Sequence, residues 1–421
     1  MTGTDLPRLA TEVPGPRSRA RIDVLARHEC AAVTARRARR AEALGLADDD
    51  PPVWDEALGA NVRDVDGNVF VDLTSGFGVA LVGHRDPGVV AAATRQAARL
   101  PHAMGDAFPD DSRIALLERL ADAAPRGLSV ALLGLSGSDA VDAAVKTAVL
   151  ATGRTGVLAF GGAYHGLALG VVGLQAYKAA FTEPFRAVSH PGVTHLPWAC
   201  DPSAVRDVLA TGRIGLVLAE PILGRGGIRV PPDGWLAEIA DWTRRHGAVF
   251  CLDEIQTGLG RTGVRFAGPA DGVVPDLMCV GKALGGGFPI SACLGTPEVM
   301  AHWGGSKGEA IHTQTFLGHP IGCAAAVAVL DQLAGGLPER VRERGDALAR
   351  ALADARFPVR GRGLMRAAEV GAGRGLAVSR GLLQRGYLAL PADDDAISLT
   401  PPVTLGDAQI EGLVRAMVEL R

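Results

Sequence analysis

The cysteines of this chain do not read as a disulfide framework or a zinc site. The six of them, at 30, 200, 251, 279, 293 and 323, lie far apart and never as C-x-x-C. Cys251 and Cys279 fall inside apolar runs, which suits buried, reduced thiols of a cytoplasmic protein. The chain has no H-E-x-x-H and no clustered ligand set, so no metal is expected. Its opening, "MTGTDLPRLATEVPGPRSRA", lacks the apolar core of a signal peptide. The most apolar long window, 156–174, holds six glycines, a tyrosine and a histidine, which argues against a membrane span. An excess of one charge is missing too. A net charge of −3 speaks against nucleic acid or an anionic membrane as partner. The one basic cluster, "TARRARRAEAL" (34–44), reads as the solvated face of a short helix. Internal repeats and low-complexity tracts are absent.

What is present is 421 residues, 48% of them apolar, enough for a large domain plus a smaller one. The middle of the chain alternates short apolar runs with helical patterns. "LSVALLGL" (128–135), "TGVLAF" (155–160), "IGLVLAE" (214–220), "AVFCLDE" (248–254) and "LMCVG" (277–281) are candidate strands. Their nearly unbroken hydrophobicity implies cover on both faces, hence an α/β fold with a mainly parallel sheet flanked by helices. The helical pattern "DGWLAEIADWTRRHG" (233–247), closed by Gly247, supports this alternation. A large domain is expected over 62–322. A smaller α+β domain is expected from the two chain ends, 1–61 and 323–421.

In open α/β sheets, ligands gather beyond the carboxyl ends of the strands. Five polar features stand there. Gly137 and Ser138 open a helix after the first strand, where free N–H groups and the helix dipole favour an anion. "GGAYHG" presents Tyr164 and His165, "VLAEP" Glu220, "VFCLDE" Asp253 and "LMCVGK" Lys282. Singly, each is more often a cap or a surface group. Rival motifs fail on detail: "GLSGS" misses G-x-S-x-G, and Lys282 is followed by Ala283, so it is no P-loop lysine.

A lysine amine, a carboxylate, an anion cradle and a flat ring together equip a site for pyridoxal 5′-phosphate. The amine forms a Schiff base with the aldehyde, a buried Asp pairs with the pyridinium nitrogen, and a helix N-terminus holds the phosphate. An apolar strand end lowers the lysine pKa toward the neutral, attacking form. The glycines after Lys282 are read as leaving room for the cofactor.

These residues sit in longer strings: "DVDGNVFVDLTSGFGVALVGHRDP", "AYHG", "LAEPILGRGG", "CLDEIQTGLGRTG", "GKALGGGFPISA", "HTQTFLGHPIGCAAA" and "TPPVTLGDAQI". With them the chain resembles the class III aminotransferases, the ornithine, 4-aminobutyrate and ω-amino acid type, of the type I pyridoxal-phosphate fold. The string "DEIQTGLGRTG", with Lys282 twenty-nine residues beyond Asp253, is its most specific part. The resemblance implies that Lys282 is the Schiff-base lysine and proton shuttle, Asp253 the pyridinium partner and Gln256 a neighbour of the ring hydroxyl. It implies phosphate contacts from Gly137, Ser138 and, across a homodimer with shared active sites, Thr315. Tyr164 flanks the ring beside His165, with Glu220 nearby, and Phe77, Arg225 and Ser398 face the substrate.

Two positions depart from the pattern. The ornithine and 4-aminobutyrate members carry an arginine for the substrate carboxylate where "AISLTPPV" has Ser398. They carry a glutamate that pairs with that arginine where "EPILGRGG" has Arg225. The charge has changed sides, and Arg225 is expected to offer a guanidinium fork to a carboxylate. The expected reaction is ping-pong transfer of an amino group from an amine or amino acid to a keto acid or aldehyde, with ω-amines and natural-product intermediates among the donors. A racemase, epimerase or aminomutase of the same family is the alternative.

Overall fold

The computed structural model describes residues 1–46, 50–305 and 307–421. A seven-stranded sheet runs through the middle, in the order Val130–Gly134, Ser291–Gly295, Leu277–Val280, Val249–Asp253, Ile214–Ala219, Gly156–Phe160 and Val193–Leu196. Among these strands only Ser291–Gly295 runs against its neighbours. The other pairings are parallel. Every residue of Gly156–Phe160, Ile214–Ala219, Val249–Asp253 and Leu277–Val280 is buried, which is why those segments read as unbroken apolar runs. Six parallel-sense strands thus end on the same side.

The helix Gly137–Thr152 begins at a reciprocal cap between Ser136 and Asp139 and ends at Gly153, whose φ of 68° is left-handed. Losing such a cap costs about 1 kcal/mol. Its buried face is mostly alanine (Ala140, Ala143, Ala144, Ala148), so it packs closely over the strands beneath, and the Cys279 thiol lies 3.3 Å from the Ala140 carbonyl. Trp235–Arg245 forms as the sequence pattern predicts, and Gly247 closes it at a φ of 63°. All six cysteines are free thiols.

The chain ends build two further sheets. Trp54–Leu58, Asn61–Asp64 and Val69–Asp72 form a meander joined in parallel by Tyr387–Leu388. The "DVDGN" turn between two of these strands also anchors the N-terminus. Asn68 Oδ1 accepts from the N–H groups of Ala10 and Thr11, and Asp66 accepts from those of Arg17 and Ser18. The second sheet is antiparallel: Val359–Arg362, Met365–Glu369, Ala396–Leu399 and Leu390–Asp393. The basic cluster falls in the helix Ala31–Leu44, but the side chains at 34–36 and 38 lie outside the described residues. No single helix among the described residues is long and apolar enough to cross a membrane.

Candidate active site

Lys282 follows the strand Leu277–Val280 and the single residue Gly281. Its backbone takes the left-handed region at φ 42°, which costs a non-glycine residue energy and marks functional positions. Its Nζ donates to Gln256 Oε1 at 2.9 Å. The side chain reaches a cavity, yet the packing around it lowers its pKa to about 8. Burial is the main cause; Glu220 and Asp253 oppose it, while Arg225 and Arg261 add to it.

Two of the three glycines after Lys282, Gly285 and Gly286, answer to protein packing, while a Cβ on Gly287 would meet nothing. Gly286 has a φ of 56°, and a Cβ there would sit 3.0–3.1 Å from Val329 and Val89 side chains. A Cβ on Gly285 would press on Ile290. They let a tight turn settle against packed helices. The expectation that the glycines clear space for the cofactor is therefore corrected at Gly285 and Gly286. The glycine that approaches Lys282 is Gly78, whose Cβ would lie 3.7 Å from Lys282 Cδ.

Asp253 ends its strand at 3% exposure. Its Oδ1 accepts from the Ile255 N–H at 3.1 Å, and its Oδ2 lies 2.7 Å from His165 Nδ1. A carboxylate only accepts, so Nδ1 carries the hydrogen. The buried His165 Nε2 has no partner. Glu220 follows the strand Ile214–Ala219 and is also buried. It joins two loops: Oε1 accepts from the Tyr164 N–H at 2.8 Å and Oε2 from the Gly224 N–H at 2.9 Å. Burial pushes its pKa up to about 7, with His165 opposing and Asp253 reinforcing that shift.

Gly137 and Ser138 form the first turn of the helix Gly137–Thr152, where no backbone acceptor precedes them. The close approach of Ser138 explains Gly166: a Cβ at that glycine would overlap Ser138 Oγ, and its φ is 106°. Thr315 is exposed and does not line the cavity that Lys282 faces.

The cavity has a volume of about 350 Å³. Lys282, Gln256, Tyr164, Arg225, Phe77 and Ser398 all face it, so both departing positions come together. Phe77 is 62% exposed, on a turn where Ser75, Gly76, Phe77 and Gly78 all have positive φ. Arg225 does not run out to solvent. Its guanidinium lies 4.5 Å from the Tyr164 ring centroid, 5.1 Å from Tyr177 and 5.9 Å from Phe181. Glycines fix the loop behind it: a Cβ on Gly226 would strike the Gly162 carbonyl, and Gly227 has a φ of 106°.

Several residues here went unmarked in the sequence. Tyr177 and Phe181 lie in an irregular stretch, although two of the chain's three tyrosines meet at this one spot. Leu390, Pro391 and Ala392 supply a wall from the C-terminal sheet. Arg261, fully buried, donates to the Leu364 and Pro401 carbonyls at 3.1 and 2.7 Å and to the Gly78 carbonyl at 3.3 Å, tying the Phe77 turn to the C-terminal region. Burial without a bonded carboxylate lowers its pKa to about 9.

Known proteins carry the same architecture. The ornithine aminotransferase of Toxoplasma gondii superposes with a TM-score of 0.78 at 28% identity, over 88% of this chain and 89% of that one. An amine transaminase from an uncultivated Pseudomonas species, solved with pyridoxal phosphate bound, superposes at 0.79 and 28% identity, over 88% and 94%. The acetylornithine aminotransferase of Mycobacterium tuberculosis is 38% identical over 378 residues, 85% of this chain and 89% of the relative. The 4-aminobutyrate aminotransferase of the same species is 36% identical over 451 residues, covering 96% of each. The fold and these neighbours define the class as pyridoxal-phosphate enzymes of fold type I. Residues 47–420 match the class III aminotransferase model, and the chain belongs to that family.

Proposed function

We propose that Lys282 and Asp253 are the reacting amine and ring partner of this aminotransferase, and that an amino group passes from an amine donor to a carbonyl acceptor at the cavity that Lys282 faces. The observation that carries this reading is the Lys282 amine. Its pKa is lowered to about 8, it is held by Gln256, and it faces the cavity, with the carboxylates of Glu220 and Asp253 acting on it from buried strand ends. The residues fit pyridoxal 5′-phosphate: a titratable amine, a buried carboxylate, and a helix N-terminus with unspent N–H groups.

When bound, the cofactor supplies an aldehyde that captures an amine and a protonated pyridine that draws electrons from the substrate carbon. Lys282 would hold it through the aldehyde, as a Schiff base. Asp253 would keep the proton on the ring nitrogen, with His165 fixing the carboxylate, and Gln256 would stand by the ring hydroxyl. The N–H groups of Gly137 and Ser138 would bind the phosphate, joined by Thr315 of a second copy. Tyr164 would flank the ring, its backbone set by Glu220. Lys282 Nζ would serve as the proton carrier beside the substrate carbon, and a pKa near 8 leaves a fraction of it as free amine near neutral pH. Phe77, Arg225 and Ser398 would line the substrate side. ω-Amines and natural-product intermediates are the donor classes to test.

We further propose a homodimer with shared active sites; the exposed Thr315 and the exposed Met104, Phe108, Ile311 and Phe316 support it. We divide the chain into a large domain, 62–322, which holds the central sheet, and a small one from 1–61 and 323–421. Six free thiols favour the cytoplasm. The test is a panel of amine donors with pyruvate or 2-oxoglutarate, read through the cofactor's absorbance. Donors should bleach the band and keto acids restore it. Racemisation of one enantiomer without an acceptor would overturn the reading in favour of a racemase or epimerase.

A further inference from the structure

The cationic fork in the cavity has no counter-charge from the protein. Among the described residues Arg225 makes no hydrogen bond and no ion pair; its described contacts are the faces of three aromatic rings. The acids around it are engaged elsewhere. Asp393 is taken by Arg360 at 2.6 Å and Arg229 at 3.3 Å. Both oxygens of Glu220 accept backbone N–H groups. Ser398, on the strand Ala396–Leu399, brings no charge to the same cavity.

The three rings offer the guanidinium π-faces but no carboxylate or carbonyl oxygen to pair with its N–H donors. The cage therefore orients the fork without satisfying it. The loop behind it is braced as well, since Arg360 Nε donates to the Gly227 carbonyl at 2.7 Å. A braced, unsatisfied bidentate donor in a small cavity matches the geometry of a carboxylate.

We propose that Arg225 is a fixed carboxylate receptor, so that amine donor and carbonyl acceptor each carry a carboxylate seated on the same caged guanidinium. The inference rests on the reading of Lys282 as the reacting amine. Because no acid among the described residues pairs with the fork, the site stays open to an anion in both half-reactions. A donor lacking an anionic group leaves the fork unpaired in a desolvated pocket and reacts poorly. Phe77, Leu390 and Pro391 line the same cavity and suit an apolar stem in such a substrate.

The test uses the holoenzyme, its Arg225→Met and Arg225→Lys variants, and glutarate as an unreactive dicarboxylate probe. Calorimetry should show glutarate binding the wild type and weakening by about 10- to 100-fold in Arg225→Met, with Arg225→Lys between them. The half-reaction followed by absorbance should favour 4-aminobutyrate over butylamine by a similar factor. That preference should vanish in Arg225→Met through KM, with kcat little changed. Equal glutarate affinity in wild type and Arg225→Met overturns the receptor. So does butylamine reacting as well as 4-aminobutyrate in the wild type. If glutarate binds through Arg225 but no amine in a broad panel bleaches the cofactor, the receptor stands and the reading of Lys282 fails instead.

Discussion

The two walls of the cavity contrast. One rests on strand ends: Lys282, which faces the cavity, and Asp253 and Glu220, buried and off its lining, each stand at or just beyond the last residue of a buried strand. The other is built from loops and the C-terminal sheet: Arg225 with its ring cage, the Phe77 turn and Ser398. A strand end is set by the whole sheet, so a change there disturbs a core. A loop is set by a few glycines and ties and can change its chemistry while the fold persists. The resemblance to the family implies that the first wall holds the cofactor and that in the second the charge has moved from one side to the other.

The sharpest way to break the contrast is at Lys282. Lys282→Ala should cut turnover by about 10⁴-fold, the upper range for a positioned proton carrier, in single-turnover absorbance. A mild loss would move the chemistry off the strand-end wall. Next comes Asp253→Asn, which should lower kcat by about 10²–10³-fold as a buried, oriented charge is lost, while the KM of carboxylated substrates stays nearly unchanged. If KM shifted instead, the two walls would not divide chemistry from recognition.

The pH dependence of cofactor capture gives a smaller effect. The free amine of Lys282 reacts and the ammonium does not. With a pKa of about 8, the rate at which apoprotein takes up pyridoxal phosphate should rise about tenfold from pH 7 to pH 9 and then level off. A rate still climbing in proportion to hydroxide at pH 9 would mean that burial does not lower this amine. Smallest is the effect on the loop wall's support. Arg360→Ala removes the tie to the Gly227 carbonyl and should raise KM by under about tenfold with kcat held, the worth of one supporting contact. A fall in kcat alone would contradict that.

The same contrast decides what could be read in advance. Strands covered on both faces announce themselves as apolar runs, and the polar residue that ends each run was legible with it. Ser291–Gly295, with the small residues of "SACLG", has no such signature, and its reversed direction was not visible. Long-range contacts were the other blind spot. Tyr177 and Phe181 reach Arg225 from an irregular segment more than forty residues earlier in the chain. Arg261 reads as one more residue of a motif, yet it bonds carbonyls over a hundred positions away. The glycines after Lys282 were legible as glycines, but their reason was not. Val89 and Val329, which press on Gly286, come from distant helices.

Reducing the holoenzyme with borohydride and mapping the labelled peptide by mass tests the central claim most directly. The pyridoxyl phosphate group should be found on the side chain at position 282 alone. An unlabelled peptide there, or a label on Lys146, Lys178 or Lys307, would contradict the account.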